Sequence, residues 1–338
     1  MKSLGRYKIV RKLARGKLSD VYLARRDDAS GFSRSYAIKA LSNRVSGEGA
    51  GDVVRAFLRE ARIHGMLAHP NIASVIDVHV AQGKYYMVVE HVPGRNLRSV
   101  MASLALRRRV VSIDVGMSIA HGVAAALHHA HMLGIVHRDV SPSNVVVSEE
   151  GYVKLLDWGS AIAVEEAGKS RPFRVLTATR YSSPEVIWNH PVDPRADVYS
   201  LGVILYELTT GKRLFDGEDP IKRIAAGDIP KPSSVRRGYP SGLEAVIQRA
   251  VANKPDDRFQ TAGDLKLALE TLATEHKLSM SDFRVAGFLA DIFNNDDVDA
   301  RPAATARPVA PKPLAKANRS TTGTTGKTRI WISRKRAG

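Results

Sequence analysis

Residues 136–159 read Val-His-Arg-Asp-Val-Ser-Pro-Ser-Asn-Val-Val-Val-Ser-Glu-Glu-Gly-Tyr-Val-Lys-Leu-Leu-Asp-Trp-Gly, and their reading decides the fold. Three polar side chains punctuate the stretch: Asp139, Asn144 and Asp157, with eighteen residues between the two carboxylates in numbering. A short strand lies between the clusters His137-Arg138-Asp139 and Asp157-Trp158-Gly159. Two carboxylates and an amide set around one short strand are candidate functional residues, because such polar side chains seldom cluster in a buried core without a role.

Composition sets the bounds. The chain has 338 residues, 44% hydrophobic and 25% charged, which fits a soluble globular protein with room for one large domain or two small ones. It has no cysteine, so disulfides and thiolate chemistry are excluded, and a reducing compartment suits it. The opening residues MKSLGRYKIV lack the apolar stretch of a signal peptide. No apolar run reaches the roughly 18 residues of a membrane span. The expectation is a cytoplasmic protein without a membrane anchor. The net charge of +17 is uneven: residues 301–338 hold ten Lys or Arg and no acid, which leaves +7 in the first 300. Such a tail reads as solvated and disordered, with an acidic partner as the sharper reading. Nucleic acid is a minor reading, because the tail has little aromatic interleaving beyond Trp331.

Along the chain, Tyr7 to Ile38 is strand-like, and residues 42–51 read as a mobile loop. The spacing predicts a helix over Asp52 to Leu67, capped by Asp52, with Val53, Phe57 and Met66 among its apolar positions. Two more strands flank the turn Gln82-Gly83-Lys84. Helical patterns then dominate, at about 96–107, 113–133, 195–210, 219–226, 241–252 and 261–275. A further helix is expected near 279–294, with apolar Phe283, Val285, Phe288, Leu289, Ile292 and Phe293. Residues 295–338 form the basic tail.

The catalytic stretch resembles the core of protein kinases, most closely the bacterial Hanks-type (eukaryotic-like) serine/threonine kinases with His-Arg-Asp-Val-Ser-Pro loops. The resemblance covers about residues 5–275. It implies an α+β, bilobal protein-kinase fold. A small β-rich N-lobe with one main helix would span about 5–92, and a large, mostly helical C-lobe about 93–278. The kinase domain would then occupy 1–278. It also implies ATP and Mg²⁺ (or Mn²⁺) as cofactors and proteins as substrates, the chain itself among them.

Residue by residue, Asp139 matches the catalytic aspartate, and Asn144 and Asp157 the metal-binding pair. Leu13-Ala14-Arg15-Gly16-Lys17-Leu18-Ser19-Asp20-Val21 is a thinned glycine-rich loop that keeps Gly16. Val21 and Ala37 would line the adenine slot with Leu13. Lys39 matches the lysine on the phosphates and Glu60 its helix partner. Backbone groups at Glu90 and Val92 would bind the adenine edge, with Val89 as gatekeeper. Glu185, Asp197 and Arg258 match structural positions. Arg138 matches the arginine that pairs with an activation-segment phosphate, for which Ser170, Thr177 and Thr179 are the candidates.

Two positions depart from the pattern. Ser141 stands where such kinases carry a lysine that meets the γ-phosphate. Ala178 stands where a threonine would meet that lysine and Asp139. The loss of both members of one contact suggests a subfamily variant and a slower active kinase. The alternative is an ATP-binding pseudokinase that acts as a scaffold.

Overall fold

Strand formers crowd the first ninety residues, and they assemble into one antiparallel sheet. Its strands are β1 (Ser3–Leu4), β2 (Tyr7–Arg15), β3 (Ser19–Asp27), β4 (Ser33–Leu41), β5 (Val75–Ala81) and β6 (Lys84–Glu90), in the order β1-β2-β3-β4-β6-β5. This computed structural model describes residues 3–16, 18–27, 32–42, 50–81, 83–163, 178–217 and 219–293. Tyr7, Tyr36, Ile38, Tyr86 and Val88 pack as the core of the sheet's buried face. The bulky aromatic and branched side chains suit a pleated, half-buried surface.

Helix α1 (Ala50–Gly65) lies against the sheet and starts two residues before the expected Asp52 cap. Asp52 sits in the first turn, where its charge still meets the helix dipole. Met66 falls just beyond the helix and is 55% exposed, so it is not a core position. The buried stripe is instead Phe57, Glu60, Ala61, Ile63 and His64.

The larger lobe begins with β7 (Gly94–Asn96), α2 (Leu97–Leu106) and α3 (Ile113–Met132). Short strands follow: β8 (Ile135–Val136), β9 (Val145–Ser148), β10 (Val153–Leu155) and β11 (Ile162–Ala163). They pair as β10-β9-β7 and β11-β8, which frames the catalytic stretch between two small sheets. The remaining helices are α4 (Pro184–Ile187), α5 (Arg195–Thr210), α6 (Pro220–Ala226), α7 (Pro232–Val235), α8 (Ser241–Ala250), α9 (Ala262–Glu275) and α10 (Asp282–Ile292). Every residue of α5 from Ala196 to Thr210 is buried, the mark of a helix surrounded by protein on all sides. Among the described residues no helix is long and apolar enough to cross a membrane.

Helix α10 docks on this lobe by both of its ends. Val285, Leu289 and Ile292 are buried, each contributing roughly 1.5–3 kcal/mol before chain entropy. Arg284 ion-pairs with Asp114 at the start of α3, and Arg109 with Asp291. The Arg95 guanidinium lies 4.8 Å from the Phe293 ring centroid. Phe283 points away and is 85% exposed, so the expected apolar set is too wide by one residue. Gly151 makes the docking possible: its φ is +90°, and a Cβ there would sit 1.9 Å from the Asp282 carbonyl oxygen. The tail from 295 onward, most of the 42–51 loop, Ser170 and Thr177 lie outside the described residues.

Candidate active site

The catalytic loop is built on a strained backbone held from beneath. Arg138 has φ 63° and Asp157 φ 58°, the left-handed region that side chains rarely adopt. Each such residue costs about 1–3 kcal/mol and persists only when its surroundings fix it. Asp197, in the first turn of α5, fixes the first. Its Oδ1 accepts the Arg138 N–H and its Oδ2 the His137 N–H, both at 2.8 Å. His131 Nε2 reaches the same Oδ2, also at 2.8 Å. Burial alone would raise the Asp197 pKa, but these donors hold it below the ordinary carboxylate value.

His137 locks the loop to the segment beyond β10. Its Nδ1 accepts the Asp139 N–H at 3.2 Å, so its proton sits on Nε2 and is donated to the Leu156 carbonyl at 3.1 Å. Arg138 Nε donates to the Ser160 carbonyl at 2.7 Å. The Trp158 ring is fully buried beside His137, with ring centroids 4.6 Å apart. Two segments that run separately in the chain are thereby fastened into one unit.

Lys39 joins the lobes. It sits on β4 opposite Val21 of β3 and forms a salt bridge to Glu60 of α1. Its Nζ also lies 2.8 Å from Asp157 Oδ1. Burial works against the Lys39 charge, but Asp157 and Glu60 outweigh it and raise the pKa. Lys39 in turn holds the Asp157 carboxyl well below its usual range, helped by the Gly159 N–H. Asp157 is 46% exposed and faces the cleft between the lobes.

Asn144 donates through its amide nitrogen to the Asp139 carbonyl (2.8 Å) and to Asp139 Oδ2 (3.2 Å). With the nitrogen so used, its Oδ1 is the group suited to a cation. Asn144 Oδ1 and the Asp157 carboxylate are hard oxygen donors of the type Mg²⁺ prefers. Among the described residues no cluster of three His, Cys, Asp or Glu could form an all-protein metal cage. Two oxygen donors suit a cation that takes its other ligands from phosphates and water.

At the nucleotide end, the Gly16 N–H donates to the Ser19 carbonyl at 2.8 Å, closing the turn between β2 and β3. A Cβ on Gly16 would lie 2.6 Å from that carbonyl, so glycine is required there. Leu13 lies on β2, and register places Ala37 opposite Leu23 on one side and Val89 on the other. Glu90 ends β6, and Val92 follows in the connection to β7. The Glu90 N–H donates to the Ser74 carbonyl at 2.8 Å. The Glu90 side chain, with no role assigned in the sequence reading, ion-pairs with Lys154 at 2.8 Å and ties this hinge to β10.

Beyond Asp139 a cavity of about 730 Å³ opens between α2, α5 and α6. Ser141 and Ala178 both line it with Asp139 and Thr179. Glu185 and Arg258 lie apart from it as a buried pair, with two contacts of 2.8 Å. Arg258 also donates to the carbonyls of Ala252, Arg195 and Asn253, so all five of its N–H groups are satisfied.

Some site residues escaped the sequence reading. His131 and His64 sit on helix faces that read as core. Neither carries a local signal, because each acts through a partner distant in sequence. His64 is buried beside Trp158, with Nε2 at 2.6 Å from the Ala73 carbonyl, and burial lowers its pKa to about 4.

A β-lobe and a helical lobe, joined by a lysine that reaches the Asp157 carboxylate, have the arrangement of a phosphotransferase. Residues 7–266 match the protein kinase domain, and the chain belongs to that family. The chain is 34% identical over 303 residues to the tyrosine-protein kinase MasK of Myxococcus xanthus, covering 86% of this chain and 47% of that protein. It is 32% identical over 285 residues to the serine/threonine-protein kinase PrkC of Bacillus subtilis, covering 83% and 42%. It is 34% identical over 274 residues to the serine/threonine-protein kinase PknB of Mycobacterium tuberculosis, covering 78% and 42%. The chain thus spans less than half the length of these relatives. The crystal structure of the Mycobacterium tuberculosis PknI kinase domain shares the fold with a TM-score of 0.59 at 28% identity, covering 80% of this chain and 97% of that one.

Proposed function

We propose that this chain transfers the γ-phosphate of ATP to serine or threonine hydroxyls of proteins, its own included. The observation that carries the reading is Lys39 paired at once with Glu60 and Asp157. That arrangement poises a cation over the phosphates and a carboxylate for the metal. Asp139 orients the acceptor hydroxyl and takes up its proton as the bond to phosphorus forms. Lys39 holds the α- and β-phosphates. Mg²⁺ or Mn²⁺ held by Asn144 and Asp157 would neutralise phosphate charge. With Ser141 in place of a cation, less charge is stabilised on the moving phosphoryl group. Turnover in the lower part of the family's range of about 1–100 s⁻¹ is expected. The scaffold reading rests on Ser141, Ala178 and the thinned glycine loop; the presence of Lys39, Asp139, Asn144 and Asp157 supports transfer over it.

A second acceptor is favoured by one feature. Ser141 and Ala178 line the cavity beside Asp139 with small side chains, where the bulkier lysine and threonine of the family pattern would take up space. One relative also bears the name of a tyrosine kinase. Phosphoamino-acid analysis separates the two acceptors.

ATP is the reason to place this reaction in the cytoplasm. An acidic partner suits the basic tail. Ser170, Thr177 or Thr179 is the expected self-modified position, with Arg138 as partner to the phosphate.

The test is to incubate the full chain with Mg²⁺ and ATP and map phosphorylated residues by mass spectrometry, beside Asp139→Asn. Transfer lost by more than about a hundredfold, with an unchanged melting curve, is the expected result. A variant with near wild-type transfer would remove Asp139 from its role.

A further inference from the structure

The cavity beyond Asp139 carries an excess of free positive charge that the phosphate chemistry does not use. Arg98 comes from α2, Arg180 from the segment before α4, and Lys212 and Arg213 from the turn after α5. Arg98 and Lys212 make no ion pair among the described residues. Arg180 and Arg213 share the single carboxylate of Asp216, each at 3.9 Å.

The carboxylates lining the cavity are not available to balance these cations. Glu207 is buried, accepting the Tyr181 O–H at 2.9 Å and the Leu214 N–H at 3.2 Å. Asp139 is held by Asn144 and serves the acceptor hydroxyl. A peptide lying in the cavity with its hydroxyl at Asp139 therefore meets a cation on each wall. Met101, Leu208 and Ile221 supply apolar lining for the peptide's hydrophobic side chains.

We propose that this cavity selects acceptor segments carrying anionic side chains next to the phosphorylated hydroxyl, with Arg98 and Lys212 as the selecting residues. This deepens the kinase reading above and rests on it. A cation in a concave wall attracts an anion more strongly than one on an open face, because the low-dielectric walls focus its field. The chain's own tail, with ten cations and no acid in residues 301–338, is the wrong substrate for such a cavity. Phosphorylation within the activation segment does not contradict this. Ser170 lies between Lys169 and Arg171, so modification there would need two copies docked through another surface, which raises the local concentration of the segment at the cavity.

The test uses the full chain and three peptides that share one threonine and differ only in flanking residues: aspartates, alanines or lysines. A fourth carries flanking phosphoserine, which separates preference for phosphate from preference for carboxylate. kcat/KM is expected to be about tenfold higher for the aspartate peptide than for the alanine peptide and lowest for the lysine peptide. The ratio should shrink at high salt. Arg98→Glu with Lys212→Glu should bring the aspartate-to-alanine ratio to one or below. If only the phosphoserine peptide is preferred, the selected anion is phosphate.

Equal kcat/KM for aspartate, phosphoserine and alanine peptides would overturn the proposal, as would a ratio untouched by the double charge reversal. Fluorescence anisotropy of the same peptides without nucleotide separates the two readings. Acidic preference in binding with no transfer to any peptide would defeat the kinase reading and keep the selectivity. Transfer to the alanine peptide without acidic preference in either assay would defeat the selectivity alone.

Discussion

Asp197→Asn removes the brace of the catalytic loop while changing the side-chain shape very little. The carboxylate serves three donors: the N–H groups of His137 and Arg138 and His131 Nε2. An asparagine has one acceptor oxygen. If that oxygen takes the place of Oδ2, it keeps His137 and His131, and its NH₂ confronts the Arg138 N–H. The orphaned buried donor costs about 1–3 kcal/mol. The two retained bonds lose charge assistance, about 1 kcal/mol each. The sum is about 3–5 kcal/mol, or roughly 6–20 °C in Tm for a domain of this size. The functional loss should be larger than stability alone implies. Arg138 is held at φ 63° and relaxes when its anchor goes, carrying Asp139 with it. A displacement of about 1 Å in a reacting group costs on the order of a hundredfold in rate. Thermal scans together with initial rates at a temperature where both proteins are folded would measure this. The Asp197 pKa is depressed in the fold, so its stabilisation exists above about pH 4 and fades as pH falls further. The stability gap between wild type and variant should therefore narrow in acid. A folded variant with wild-type kcat would refute the claim that Asp197 sets the geometry of Asp139.

Three other outcomes follow from particular contacts. Restoring Ser141→Lys and Ala178→Thr together should change kcat by more than the two single changes combined, because both positions line one cavity with Asp139; strict additivity in a double-mutant cycle would show that the groups do not touch. His64 is buried with a pKa of about 4 against an ordinary 6.5, so the unfolded chain takes up its proton first and stability drops by up to about 3 kcal/mol between pH 6.5 and 4. Urea titrations of His64→Leu should lose that component, and an identical pH profile would contradict it. Gly151→Ala places a Cβ against the Asp282 carbonyl at a positive φ, so α10 should loosen at a cost of about 1–3 kcal/mol, seen as faster proteolysis between α9 and α10; unchanged cleavage and Tm would show that the helix adapts.

Resemblance to the kinase motifs put Lys39, Glu60, Asp139, Asn144 and Asp157 forward as site candidates, and the structure brings Lys39 to Glu60 and Asp157, and Asn144 to Asp139. The helices α3, α5 and α9 were legible because apolar residues recur over several turns in each, although α5 is buried on every side and has no polar face. What the sequence could not reveal is how these residues are held. His131 supports Asp197 from sixty-six residues away, and Lys154 pairs with Glu90 across sixty-four. Such partners have no local signature, because their pairing exists only once α3 meets α5 and β10 meets the hinge. The same holds for Met66 and Phe283, apolar by type and exposed in fact. Hydrophobic residue type fixes a tendency to bury, but which face finds a partner is set by the packing of elements distant in sequence. Gly151 shows the limit most sharply. Nothing in the sequence singles it out, and only the seating of α10 on the lobe makes the absence of its side chain a condition of the fold.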